Sequence, residues 1–257
     1  MTSAILERAQ QLASLDEQAA VTPRKPAVQK VFRRREIKFL VTDEQRTAIL
    51  SAASEHMESD AWGATTICNV YFDTPTSLLV RRSIEKPRYK EKVRIRSYGR
   101  REPGAPVFVE LKKKFKGIVY KRRVVLDEER AERLLSGREN PRTQMEREID
   151  FTVRRYEGLA PACYIAYDRE AFYAIDDHEF RMTFDRNVRA RWDDLDLTSS
   201  TDGKQLLPEG MNIMELKCGG AIPLWMVRVL DHLNLRKASF SKYGNAWKAR
   251  QARVQAA

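Results

Sequence analysis

Between Tyr89 and Gly99 the chain reads YKEKVRIRSYG. In an extended strand, side chains alternate between two faces, so Lys90, Lys92, Arg94 and Arg96 share one face, each about 6.5–7 Å from the next. Glu91, Val93, Ile95 and Ser97 share the other. Like charges side by side destabilise a strand unless something neutralises them. A second pattern recurs: E-x-K occurs at Glu36/Lys38, Glu110/Lys112 and Glu215/Lys217. Carboxylates hold divalent ions and Lys and Arg bind phosphate oxygens, so this spacing suits a site holding both a metal and a phosphate chain.

Other chemistries are not written here. There is no G-x-x-x-x-G-K-[ST] phosphate loop, no G-x-G-x-x-G fingerprint and no kinase signature. Gly219-Gly220 is too short for a nucleotide loop and reads as the end of a strand. His56, His178 and His232 are isolated and read as surface or structural residues. No Ser/His/Asp or Cys/His arrangement can be read from spacing. Catalysis, if any, falls to Lys, Arg and Glu.

The elements that must position these residues alternate in type along 257 residues, enough for one large domain or two small ones. A net charge of +11 and a pI near 9.6 call for an anionic partner: nucleic acid, acidic lipid or a phosphate compound. No apolar run approaches the roughly 20 residues of a membrane span, and the N-terminus lacks a signal-peptide core. Cys68, Cys163 and Cys218 are few, odd in number and far apart, which speaks against disulfides or zinc and for a reducing compartment, the cytoplasm.

Ile5, Ala9, Leu12 and Ala13 lie on one helical face, and VTPRKPAVQK follows as a linker, so residues 1–30 read as a helix and tether before a main domain at 31–257. Strands are expected in VFRRREIKFLV, TTICNVYFDT, the opening stretch, PVFVELKKKF, GIVYKRRVVL after a turn at Gly117, ACYIAYDREAFYA, HEFRMTFDRNVRAR and MNIMELKCGG. Helices are expected in TDEQRTAILSAASEHM and TQMEREIDFTVRRYEG, with capping boxes Thr42/Gln45 and Thr143/Glu146. DEERAERLLSG, with Gly137 as C-cap, PLWMVRVLDHL and SFSKYGNAWKARQARV add three more. Strict βαβ alternation is missing, so the class is α+β, an antiparallel sheet or barrel with peripheral helices.

Strand after strand has one apolar and one charged face. Arg34, Glu36 and Lys38 share a face; so do Lys121 and Arg123, and Arg181 and Asp185. An open sheet with its charged face in water would also satisfy this alternation. The excess of cations around Lys92 and the recurrent E-x-K argue instead for a shared anion.

The segments REIKFLV, YFDT, YKEKVRIRSYG, FVELK, YKRRVVL, YDREAF, FRMTFDRNV, IMELK and FSKYG, in this order, resemble the VTC domain, the catalytic domain of vacuolar transporter chaperone polyphosphate polymerases. That domain belongs to the triphosphate tunnel (CYTH-like) superfamily, and the likeness runs from about Phe32 to Gly244. The resemblance implies a closed antiparallel barrel of about eight strands, a tunnel whose interior carries the basic residues. It implies transfer of the γ-phosphate of ATP onto a growing polyphosphate chain, releasing ADP, with Mn2+ or Mg2+. Such chemistry needs charge neutralisation and in-line positioning rather than a protein nucleophile.

By the same resemblance Lys38, Arg94, Arg96, Lys112, Lys121, Arg123 and Arg181 are the catalytic cations. Lys92, Arg169, Lys217, Ser241 and Lys242 are further substrate contacts, together with Arg81 or Arg82, whose register is open. Glu215, with Glu36 and Glu110, is the metal-binding set. The superfamily's first strand reads E-x-E-x-K, whereas this chain has Arg34, Glu36 and Lys38, which implies fewer metals and longer anions. Neither an SPX domain nor membrane helices accompany the domain here, so regulation and coupled export are not implied, and a membrane-protein partner stays open. Two other functions fit the same residues: a tunnel-type triphosphatase, and a non-catalytic module binding polyphosphate or nucleic acid. Stacking aromatics and a recognition helix are not apparent, which disfavours nucleic acid.

Overall fold

A computed structural model describes residues 35–116, 118–177 and 179–255. The expected N-terminal helix and linker, Arg34, the turn at Gly117 and His178 lie outside them. The strands are β1 Arg35–Thr42, β2 Met57–Ser59, β3 Thr65–Asp73, β4 Tyr89–Tyr98, β5 Val107–Phe115, β6 Ile118–Leu126, β7 Ala160–Ala174, β8 Arg181–Arg191, β9 Lys204–Gln205 and β10 Met211–Cys218. The helices are α1 Asp43–Ala53, α2 Leu78–Glu85, α3 Glu128–Leu135, α4 Gln144–Arg155, α5 Leu224–His232 and α6 Lys242–Gln255. All pairings are antiparallel, in the spatial order β1-β10-β8-β7-β3-β4-β5-β6, with β2 on β7 and β9 on β8. The fold is α+β. No helix among the described residues is long and apolar enough to cross a membrane.

Local sequence explains the boundaries. Thr42 and Gln45 exchange both capping-box bonds at the start of α1, at 3.2 and 3.0 Å. Thr143 caps α4 as expected, but Glu146 turns its carboxylate to the Arg142 N–H and the Arg130 guanidinium. Gly137, at φ +69°, closes α3 where a side chain would be strained. Helix α2 was not anticipated: its short LLVRRSIE run lacks an N-cap side chain at Ser77. Asp73 supplies the cap from the end of β3, accepting the Leu79 and Val80 N–H groups at 2.8 and 2.9 Å.

The expectation of a closed barrel requires correction. Among the described residues, no hydrogen-bonded pairing joins β6 to β1. The free edge of β1 is occupied instead by the C-terminal segment: Ala238 bridges Lys38, its N–H donating to the Lys38 carbonyl at 2.7 Å. The sheet nevertheless curls into a trough. Glu36 of β1 meets Lys112 of β5 at 2.8 Å, although six places separate those strands in the sheet. Side chains from opposite ends of the path can touch only across a concave face.

The helices are not all peripheral either. Apolar groups of α1 and α5 pack on the convex face of β1, β10 and β8, and those of α3 and α4 on the convex face of β3 to β6. Helix α6 enters the concave side, where Tyr243 and Ala246 pack with Ile67, Tyr71, Cys163, Ile165 and Ile213. Strands β3 and β7 are therefore covered on both faces, which is why TTICNVYF and ACYIAY read as near-continuous apolar runs.

Candidate functional site

Register brings the charged residues onto one surface. On the β4-β5-β6 wall, Arg94 faces Glu110, which faces Arg123, and Lys92 faces Lys112, which faces Lys121. On the other wall, Lys38 faces Glu215, which faces Thr183, and Glu36 faces Lys217, which faces Arg181. A bulge in β8 at Asn187, held at φ +49°, changes strand parity so that Asp185 and Val188 both point inward. Ten cations (Lys38, Lys92, Arg94, Arg96, Lys112, Lys121, Arg123, Arg169, Lys217 and Lys242) thus share the trough with four carboxylates, Glu36, Glu110, Asp185 and Glu215.

Glu110, 1% exposed, is the hub of one wall. Its carboxylate accepts from Arg94 at 2.7 Å and from Arg123 at 2.7 Å, pairs with Lys121 at 2.8 Å, and has Arg96 at 3.9 Å. Burial would raise its pKa, but Arg96, Arg94, Lys121 and Arg123 together hold the carboxyl well below the usual range. Arg94 also donates to Tyr71 at 2.9 Å, and Arg96 to Asn69 at 3.0 Å and Tyr167 at 3.2 Å. The guanidinium groups are therefore fixed in place before any ligand arrives.

A second hub lies at the N-terminus of α6. Asp185, fully buried, takes a bidentate pair from Arg169 at 2.5 and 2.8 Å and a hydrogen bond from Lys242. The Lys242 ammonium also sits 4.2 Å from the Tyr167 ring centre. Burial pushes the Tyr167 phenol up, yet Arg96, Arg169 and Lys242 outweigh it and bring the group down to about 8. Ser241 accepts from Lys92 at 3.0 Å while its oxygen also accepts the Gly244 N–H. The Phe240 carbonyl accepts from Lys38 at 3.1 Å.

The remaining carboxylates keep looser company. Among the described residues, Glu215, 7% exposed, forms ion pairs only with lysines, Lys217 at 3.1 Å and Lys38 at 3.4 Å. Burial opposes its ionisation, but Lys217, Lys38, Arg169 and Lys242 hold its pKa well below normal. Glu36 is likewise lowered: burial raises it and Glu215 is near enough to push the same way, but the charge and hydrogen bond of Lys112 together with Lys217 outweigh them. The lysine row Lys92-Lys112-Lys121 contains no carboxylate of its own. Burial and the repulsion of Lys38, Lys112, Lys90 and Arg94 push Lys92 well below 10.5. Burial also takes Lys121 down to about 7 against the pull of Glu110, with its side chain still 44% exposed.

Of the residues expected at a site, two stand apart. Arg81 is exposed on α2, and Arg82 lies near Tyr156, whose phenol burial and Glu91 push up to about 12 against the weaker opposing pull of Arg155 and Arg82. Arg181 sits at the mouth of the trough, in register with Lys217. Tyr71, Asn69, Tyr167 and Asp185 carry much of the hydrogen bonding and had no assigned role. The lone Asn in TTICNVYF and the polar pair Tyr167/Arg169 in alternation were the signals that could have marked them. No group of three or more His, Cys, Asp or Glu that could enclose a metal occurs among the described residues. The donor set still suits a hard divalent cation: Glu36 and Glu215 are neighbouring, ionised oxygen ligands, and magnesium-type ions are commonly held by one or two carboxylates plus substrate phosphates.

Solved structures align with the chain at low identity. A candidate adenylate cyclase from Bacillus halodurans aligns at 15% identity over 81% of this chain and 95% of its own, with a TM-score of 0.49. A candidate adenylyl cyclase from Hippeastrum, described as having a dominant triphosphatase activity, aligns at 13% over 83% and 95%, with a TM-score of 0.48. One from Vibrio parahaemolyticus aligns at 12% over 82% and 96%, at 0.44. No curated protein matches the chain. The family model for the VTC domain matches residues 33–250, spanning every element of the trough from β1 into α6. The chain belongs to the VTC domain family.

Proposed function

We propose that this protein is an ATP-dependent polyphosphate polymerase that moves the γ-phosphoryl group of ATP onto the end of a polyphosphate chain lying in the trough. The observation that carries the reading is the cation excess around the row Lys92-Lys112-Lys121, directly opposed across three strands. Glu36 and Glu110 offset Lys112 and Lys121 in part, but among the described residues Lys92 meets only the Ser241 hydroxyl, and the surplus of cations over carboxylates repels unless a polyanion lies among them. Arg94, Arg96 and Arg123, pre-set by Glu110, Tyr71 and Asn69, would hold the equatorial oxygens of the transferring group without reorganising. Arg169 and Lys242, anchored on Asp185, would grip the next phosphate.

The buried thiols of Cys68 and Cys163 are pushed up by burial and are not needed, because the acceptor chain is itself the nucleophile. Glu215 and Glu36 would hold the Mn2+ or Mg2+ ion, which when bound neutralises phosphate charge. Lys38, Lys112 and Lys217 can turn from those carboxylates to the substrate as the ion arrives. Purified protein with ATP and Mn2+ is expected to yield ADP and a polymer resolved on a gel. ADP accompanied by an equal amount of orthophosphate and no polymer would assign it as a triphosphatase instead.

A further inference from the structure

The cations of β4 and β5 do not stop at the site. Beyond Lys92 and Lys112, Lys90 faces Lys114, and the Lys116 N–H donates to the Arg88 carbonyl at 2.9 Å, carrying the ladder one step past both strands. Lys86, Arg88, Lys114 and Lys116 are exposed, and no ion pair joins any of them or Lys90 to a carboxylate among the described residues. Lys90 donates to the Ser83 carbonyl at 3.1 Å instead. Burial, reinforced by Lys114, Lys86 and Lys112, pushes its pKa down.

At the other end of the same two strands the column ends in aromatic rings. Arg96 faces Phe108, and Tyr98 meets Phe108 edge-to-face at 5.3 Å with Arg123 over both rings. Past the site itself, the cations of this wall continue only toward Lys90 and Arg88, because beyond Arg96 the column ends in Tyr98 and Phe108. The six residue steps from Arg94 to Arg88 span about 20 Å, more than a triphosphate can cover.

We propose that Lys86, Arg88, Lys90, Lys114 and Lys116 form a track that binds the length of inorganic polyphosphate leaving the trough, so that the product exits over the end of the β4-β5 hairpin. This rests on the polymerase reading for the identity of the chain. Each exposed contact is weak and screened, but a chain of phosphates meets them all at once.

The test compares the protein with a combined Lys86→Gln, Arg88→Gln, Lys114→Gln and Lys116→Gln variant, titrated with long-chain polyphosphate and with triphosphate. Affinity for the long chain is expected to fall about tenfold and its salt dependence to flatten, because fewer counterions are released. Affinity for triphosphate should stay within about twofold, and in synthesis the variant should make shorter product at an unchanged initial rate of ADP release. Unchanged long-chain affinity, or a parallel loss for triphosphate, would overturn the track. So would equal loss for a single-stranded RNA bound as tightly as the long chain, which would mark a nucleic-acid surface. If the unaltered protein makes no polymer, the polymerase reading fails, while the difference between the two titrations still decides the track.

Discussion

The units Glu110/Lys112 and Glu215/Lys217 have the same spacing and opposite company. Glu110 is bound by two arginines through hydrogen bonds, with a third guanidinium and a lysine beside it. Glu215 has two lysines at 3.1 and 3.4 Å. An arginine fork is rigid and gives up its partner reluctantly, whereas a lysine is a mobile point charge that can change partners. One carboxylate therefore builds the wall, and the other is the one that the proposed function would have exchange its cations for a metal ion. The difference arises from what the neighbouring strands place opposite each motif, which the motif itself does not encode.

The comparison is broken most sharply by removing each carboxylate in turn. Glu110→Gln leaves a buried cluster of cations without a counter-ion and should cost roughly 3–5 kcal/mol of stability in urea unfolding, partly recovered by added triphosphate. A loss under about 1 kcal/mol would mean that the wall does not depend on it. Glu215→Gln should cost less than Glu110→Gln, about 1–2 kcal/mol, since its lysine partners are about a quarter exposed and part of the pairing is screened. Its ADP production should fall on the order of a hundredfold, with a raised Mn2+ requirement. If both variants showed the same balance of stability and activity, the distinction would disappear.

A subtler test uses protons. Lys121 lies near 7 in the free protein, and bound phosphate would raise it, so binding takes up a proton above that pH. Triphosphate affinity should hold below about pH 7 and weaken as pH rises beyond it, by at most about tenfold per unit from this group. Lys121→Met should remove that share of the slope, leaving the titration of the phosphate itself; calorimetry at several pH values reads both. Tyr167→Phe, which deletes one neutral donor–acceptor beside Arg96, should weaken triphosphate about fivefold, close to 1 kcal/mol. Arg82→Gln, on the far side of α2 near Tyr156, should change turnover by less than about twofold.

Much of this was legible in the chain itself. Period-two alternation placed Lys92, Arg94 and Arg96 on one face, and Thr42/Gln45 marked the start of α1, because both depend on neighbours within a few residues. What could not be read depends on distant pairing. Helix α2 could not be read because its cap, Asp73, lies outside the usual N-cap spacing and is fixed by a distant group, its carboxylate also accepting from Tyr243 at 2.8 Å. The inward turn of α6 was hidden for the same reason: its apolar partners lie on β3 and β7, and the only hint was that those strands are apolar on both faces. Closure failed as an expectation because the edge of β1 is taken by Ala238, two hundred residues away.

The lysine row is the feature on which the account stands, and a crystal structure with bound triphosphate examines it directly. Phosphate oxygens bridging Lys92, Lys112 and Lys121 on the concave face, with Arg94 and Arg96 still held by Glu110 and Asn69, are the predicted result. Triphosphate bound on the convex face, or a trough left to water at saturating ligand, would contradict it.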